Sequence, residues 1–235
     1  MTAQAVELHS HHRDVTGGWL RPAVFGVMDG LVSNAALLAG VVGGGATGTA
    51  VTVAGLAGLA AGAFSMATGE YTSVASQREL TQAEIAVERR ELARNPEAEE
   101  RELALLYQSR GLTPELAEEV ARQLHRDDEV AWRVHAREEL GLDPDDLPSP
   151  WVAAGSSFLA FAIGALIPVL PFLLGSSSMS AVIVLTAVAL FATGALVARL
   201  TARSPLYGGG RQLVLGALAA AVTYGVGSLV GTFIG

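Results

Sequence analysis

The chain has 235 residues, a net charge of −8 and no cysteine; 51% of it is apolar and 16% charged. Disulfides, thiol catalysis, cysteine–zinc sites and iron–sulfur clusters are thereby excluded, and an acidic chain without a basic stripe is no nucleic-acid binder. The mean hydropathy of +0.41 is high for a soluble domain.

The charge is unevenly placed. Residues 30–69, 147–198 and 212–235 carry no Asp, Glu, Lys or Arg at all. A transmembrane helix needs about 20 mostly apolar residues, so the first two stretches each hold two helices and the third holds one. Residues 1–21 are read as a short cytoplasmic segment. They are no signal peptide, because His9, His11, His12, Arg13 and Asp14 precede a long apolar run with no small-residue cleavage site. Turn signals at Gly43–Gly48, Gly175–Ser178, and Ser204-Pro205 with Gly208-Gly209-Gly210 divide the rest. The expected spans are 22–43, 50–76, 151–174, 180–202 and 211–234. Spans 1 and 2 occupy 22–76, and spans 3 to 5 occupy 151–235.

Five spans place the termini on opposite sides. All 15 basic residues are Arg, and with these spans every one falls on one side, which the positive-inside rule makes cytoplasmic. The C-terminus then lies opposite. Gly26/Gly30, Gly40/Gly44, Gly58/Gly62 and Gly227/Gly231 are small-xxx-small pairs that allow close helix packing, within the chain or between copies. Pro168 and Pro171 are expected to kink span 3.

Residues 77–150 are of another composition and are expected to form a cytoplasmic three-helix module. Span 2 runs on without a breaker to Arg94, and Asn95-Pro96 ends it and opens a second helix that stops at Gly111. Thr113-Pro114 caps a third, running to about Leu140 before Gly141. Leu116, Val120, Leu124 and Val134 give it an apolar stripe. Glu88 and Glu91 share a helix face, as do Glu99 and Glu102, and the two pairs straddle the Asn95-Pro96 turn. His135 and Glu139 lie one turn apart on the third helix. Carboxylates suit Mn²⁺ and Fe²⁺. Spacing alone, however, favours a solvated acidic face neutralised by Arg89, Arg90 and Arg101.

Asp29 and Glu70 are the two carboxylates inside the spans, where such groups are costly and mark function. The competing reading is a helix-end residue reaching the interface. Met66 lies one turn before Glu70, and a thioether with carboxylates selects Mn²⁺ or Fe²⁺ over Mg²⁺ and Ca²⁺. Ser33, Asn34 and Ser65 offer neutral oxygens. For Met66 alone, packing is the commoner role.

Four segments together resemble the vacuolar iron transporter family. They are Phe25-Gly26-Val27-Met28-Asp29-Gly30-Leu31-Val32-Ser33, Ser65-Met66-Ala67-Thr68-Gly69-Glu70-Tyr71, Glu138-Glu139-Leu140-Gly141-Leu142 and Thr223-Tyr224-Gly225-Val226-Gly227. The resemblance implies an all-α polytopic membrane protein, with five transmembrane helices and a metal-binding module between helices 2 and 3. It implies a homodimer with its pore between subunits, moving Fe²⁺, Mn²⁺ and related ions out of the cytosol against protons. Asp29, Met66 and Glu70 match the family's membrane site. Glu88, Glu91, Glu99, Glu102 and Glu139 match its cytoplasmic site, where His135-Ala136 replaces a Met pair and still offers a ligand for Fe²⁺ or Zn²⁺. High Ala, Gly and Arg content looks bacterial, which implies a plasma-membrane exporter.

The alternatives are a membrane-anchored iron-binding or iron-oxidising protein and a metal sensor. The first lacks the Glu-x-x-His pairs of di-iron bundles, since Arg122 and Trp132 stand three residues before His125 and His135. The second leaves the carboxylates within the spans without a purpose. With no nucleophile–base arrangement, phosphate loop or resident cofactor signature, no enzyme is expected.

Overall fold

The computed structural model describes residues 18–141, 143–176 and 178–234. Most of the expected N-terminal segment, with Leu142 and Ser177, lies outside the described residues. Those described form eight helices: α1 (Leu20–Gly43), α2 (Thr49–Arg94), α3 (Pro96–Ser109), α4 (Pro114–Leu124), α5 (Asp128–Glu138), α6 (Pro150–Leu173), α7 (Met179–Leu200) and α8 (Pro205–Ile234). Five of them, α1, α2, α6, α7 and α8, are long and apolar enough to cross a membrane. At 1.5 Å per residue α2 is about 69 Å long, more than twice the ~30 Å bilayer core. Its charged C-terminal part therefore lies outside the span. The chain divides into two compact units, Met1–Ser73 with Ser149–Gly235, and Val74–Pro148.

In the first unit α1 packs chiefly on α6 and α8. Glycine makes these contacts close. A Cβ added at Gly30 would run into the backbone of Phe161 and Ala165, and one at Gly227 into the backbone of Gly40. Among the described residues all eight members of the four small-xxx-small pairs meet the chain's own neighbouring helices. Apolar clusters fill the remaining space: Leu38, Val51 and Val169 in one, Ala63, Phe161 and Ala165 in the other. Pro168 and Pro171 are buried within α6.

The fifth spanning helix starts six residues earlier than the expected span. Gly208-Gly209-Gly210, a breaker by composition, is helical here. Gly208 lies against Gly194 and Ala198 of α7, and Gly209 against the Phe191 ring. At positions 208 and 209 the missing side chains serve helix–helix packing, whereas an added Cβ at Gly210 would meet nothing within 4 Å, and Pro205 supplies the start.

The second unit also departs from expectation. The single third helix over 113–140 is two helices, α4 and α5. The Asp127 carboxylate accepts from the backbone N–H groups of Glu129 and Val130 and caps a new start. The apolar core is Leu103, Ala104, Ala117 and Ala121, with Tyr107, Leu112, Leu124 and Val134 around it. Leu116, assigned to the stripe, is 53% exposed. Short side chains at 117 and 121 let α4 approach α3 closely, and this turns Leu116 outward.

Candidate metal centres

In the membrane unit Asp29 and Met66 line one cavity of about 200 Å³ together with Ser33, Asn34, Ser65 and Phe161. The Ser33 hydroxyl donates to Asp29 Oδ1 at 2.5 Å. Asn34 Nδ2 donates to the carbonyls of Gly55 and Ala165, and its Oδ1 has no partner. Carboxylate, hydroxyl and thioether groups thus face one space, a donor set suited to Fe²⁺ or Mn²⁺. Glu70 lies elsewhere. It lines a separate cavity with Arg21, Phe25, Met28 and Thr201. Four residues along a helix turn the direction by about 40° and advance it by about 6 Å, enough to carry Glu70 out of the space that Met66 enters.

In the second unit Glu88, His135 and Glu139 bring one ligand atom each within 4.8 Å of one another. His135 is fully buried. Its Nδ1 lies 2.8 Å from Glu139 Oε1, 3.0 Å from Glu88 Oε1 and 4.0 Å from Glu99 Oε2. Glu88 and Glu99 are buried. Glu139 keeps 22% side-chain exposure although the residue as a whole counts as exposed. Glu91 and Glu102 are exposed and stand outside the triad. They still act on it, because their charges help raise the pKa of Glu88 and Glu139.

Burial is the main cause of both shifts, with the neighbouring carboxylates second; Glu88 and Glu139 are each pushed up to about 7. Burial, then Coulomb repulsion from Glu102 and Glu91, raises Glu99 as well. Burial and His125 push His135 down to about 4. At neutral pH this is an uncharged imidazole among acids that resist ionising together. Expected neutralisation by arginine is not found: among the described residues Arg89, Arg90 and Arg101 make no ion pair with these glutamates. Arg89 instead stacks on the Trp132 ring at 3.8 Å, and Arg90 Nε donates to the Ala86 carbonyl. Glu88 Oε1 is buried without a hydrogen-bond partner. A divalent cation would relieve the repulsion and occupy that orphaned oxygen.

His125 is the site neighbour that spacing did not single out. Its Nε2 lies 3.3 Å from His135 Nε2, with the ring planes 86° apart. Around the cluster, Arg110 pairs with Glu138, whose carboxylate also accepts from the Tyr107 hydroxyl, tying α3 to α5.

Five membrane-length apolar helices and a carboxylate–thioether cavity among them define a membrane protein of the metal-transporter class. Residues 20–228 match the VIT family. The chain belongs to that family, whose members are transporters and not enzymes. It is 42% identical over 222 residues to a protein of Acanthamoeba castellanii named vacuolar iron transporter, covering 91% of this chain and 79% of the relative. It is 32% identical over 240 residues to vacuolar iron transporter 1 of Oryza sativa subsp. japonica, with 99% and 95% covered. The protein of that name from Arabidopsis thaliana is 31% identical over 225 residues, with 94% and 90% covered.

Proposed function

We propose that the chain removes Fe²⁺, and also Mn²⁺ and related ions, from the cytosol in exchange for protons, as a homodimer. The observation that carries this reading is the cavity in which Asp29, Ser33 and Met66 meet. A carboxylate at membrane depth is stabilised by a cation or by a proton. The two ligands compete for Asp29, and competition at one group is the physical basis of exchange. Met66 adds a soft ligand that disfavours Mg²⁺ and Ca²⁺. Glu70, in its own cavity, is a second carboxylate station for metal or proton.

The module of residues 77–150 is proposed to capture metal from the cytosol, a location that the arginine distribution supports. Glu88, His135 and Glu139 are the ligands, Glu99 stands next to them, and Glu91 and Glu102 attract the cation. Zn²⁺ suits the imidazole as well as Fe²⁺ does. Composition supports a bacterial plasma membrane.

Metal-driven proton flux in proteoliposomes, with and without a pH gradient, tests the reading. Asp29→Asn keeps the shape of the side chain but neither charge nor titration, so coupled flux is expected to vanish while the protein still folds. Asp29→Glu is expected to retain part of it. Near wild-type coupled transport in Asp29→Asn would overturn the site. Because the native chain has no cysteine, Thr68→Cys gives a clean cross-linking test of the dimer. Thr68 lies on an open face with Phe64, Ser65 and Gly69.

A further inference from the structure

We propose that the end of α7 and the start of α8, together with Arg21 of α1, form a binding site for an anionic phospholipid. The arginines hold the headgroup phosphate, and an apolar wall takes the start of an acyl chain. The proposal is independent of the metal centres.

Between residues 147 and 235 the charged residues are Arg199, Arg203 and Arg211, and no acid accompanies them. All three are exposed, as is Arg21. Among the described residues none of these four is in an ion pair. The second unit differs: there Arg110, Arg122, Arg133 and Arg137 each pair with a carboxylate. Orientation in a membrane asks only that arginine lie on one side. It does not ask for unpaired guanidinium groups gathered on neighbouring helix ends.

The backbone does the gathering. Ala202 follows α7 at φ +54°, a left-handed conformation that favours glycine. Through this turn the Arg203 N–H donates back to the Ala198 carbonyl at 2.7 Å, which keeps Arg203 beside the last turn of α7, where Arg199 stands. Arg21 arrives from α1 and lines one cavity of about 500 Å³ with Leu200 and Thr201. Val24, Met28 and Val197 wall the same cavity, and Met28 lies about 10 Å further along α1 than Arg21. Guanidinium and hydroxyl groups at the helix ends, then aliphatic groups inward, repeat the order of phosphate, glycerol and chain in a phospholipid. Glu70 also lines the cavity. Arg21, Arg199 and Arg203 outnumber it, so the complementary headgroup carries a net negative charge.

The first turns of α8 extend the surface. Leu206 and Tyr207 are 76% and 64% exposed, and the Arg211 guanidinium lies 5.8 Å from the centre of the Tyr207 ring. Leucine, tyrosine and arginine there suit the chain, glycerol and phosphate layers in turn. Basic pockets between spanning helices bind anionic headgroups, and each arginine near a charged surface contributes about 1 kcal/mol, or about fivefold in affinity.

The test is native mass spectrometry of the full chain, stripped of lipid in detergent, with phosphatidylglycerol as the probe and phosphatidylcholine of the same chains as the comparison. Phosphatidylglycerol is expected to bind more tightly. Arg199→Gln with Arg203→Gln is expected to weaken it by about 25-fold, fivefold for each arginine, with the lipid-free melting temperature unchanged because neither residue has an ion-pair partner to lose. Arg199→Lys with Arg203→Lys keeps the charge and is expected to retain most of the affinity. Arg122→Gln with Arg137→Gln removes the same charge from the second unit and is expected to change nothing. Equal affinity for the two lipids overturns the proposal, and so does an equal loss in both glutamine pairs, which would reduce the effect to net charge. Tighter binding of phosphatidylethanolamine overturns it too, since Arg21 and Glu70 would then read a zwitterion. Displacement of the lipid by an equal concentration of inorganic phosphate would make this a site for the free ion and overturn the lipid.

Discussion

Asn34 reaches across 131 residues to the carbonyl of Ala165, with Nδ2 and the oxygen 2.6 Å apart. The same nitrogen donates to the Gly55 carbonyl at 3.1 Å. Both partners are acceptors only, which fixes the orientation of the amide, and one side chain of α1 holds α2 and α6 together. Hydrogen bonds between membrane helices contribute about 0.6 kcal/mol each on average and at most ~1.7. Asn34→Leu keeps the volume and loses both donors. It is expected to lower the unfolding free energy by about 1–3 kcal/mol, read by denaturant titration in mixed micelles. Asn34→Asp is expected to be worse, because a carboxylate cannot donate and would face two carbonyls.

Glycine substitutions should split into two groups. Gly30→Ala forces a methyl into the α6 backbone and is expected to cost about 1–3 kcal/mol or more. Gly155, in α6, has nothing within 4 Å of an added Cβ. Gly155→Ala is expected to be neutral or to stabilise by up to ~1 kcal/mol through helix propensity. Thermal unfolding of the two variants in one detergent checks the contrast. Equal losses would mean that tight packing is not what Gly30 provides.

Metal should stabilise the second unit more as pH rises. A carboxyl with a raised pKa contributes stability below its usual value of 4.5 and loses it as pH climbs through the folded value. For Glu88 and Glu139 that window ends at about 7. His135 runs the other way: its contribution is present above 6.5 and lost as pH falls through about 4. Two groups against one leave the metal-free unit less stable at pH 8 than at pH 5. A cation takes the place of the protons there, so its added stability grows over the same range and reaches about 2.7 kcal/mol at a hundredfold excess over Kd. Trp132 is left as the only fluorophore of its kind in a Trp19→Phe, Trp151→Phe background, and its unfolding signal with Mn²⁺ or Zn²⁺ is the measurement. Equal stabilisation at pH 5 and pH 8 would place the metal away from the carboxylates.

Met66 permits a test of the sulfur alone. Met66→Leu keeps an apolar side chain against Phe161 and Ala165, a swap that usually costs less than about 1.5 kcal/mol. It removes the soft ligand. In competition uptake by proteoliposomes, the ratio of Fe²⁺ to Mn²⁺ transported is expected to fall while the protein stays folded. An unchanged ratio would return Met66 to a packing role.

The spanning helices were legible because charge is so costly in a bilayer that its absence over long stretches has few other causes. The start of α8 was not, because glycines that break a helix in water can pack one against its neighbour in lipid, as Gly208 and Gly209 do against α7. The break between α4 and α5 had a local signal: Asp127, followed by Asp128 and Glu129, has the composition of a capped first turn. A run of charges concealed it. Glu88, His135 and Glu139 were each legible as candidates, since acid spacing and a lone histidine are visible in one dimension. Which glutamates are buried was not, because that depends on what α3 and α5 cover. His125 carries no such signal, because Arg122 stands three residues before it and its neighbour, His135, comes from the next helix. The separation of Glu70 from Met66 depends on where one cavity ends, and residue spacing holds no record of that.

The backbone contacts of α1 with α6 and α8 have a consequence at the level of the gene. Alanine is one nucleotide away from every glycine codon, and it is the smallest residue a mutation can put there. At Gly30 and Gly227 even that methyl group meets main-chain atoms, which cannot turn aside as a side chain can. The gentlest replacement that heredity offers is therefore already too large. These positions cannot drift through a series of slightly bigger residues, and a lineage leaves glycine there only by moving a neighbouring helix at the same time.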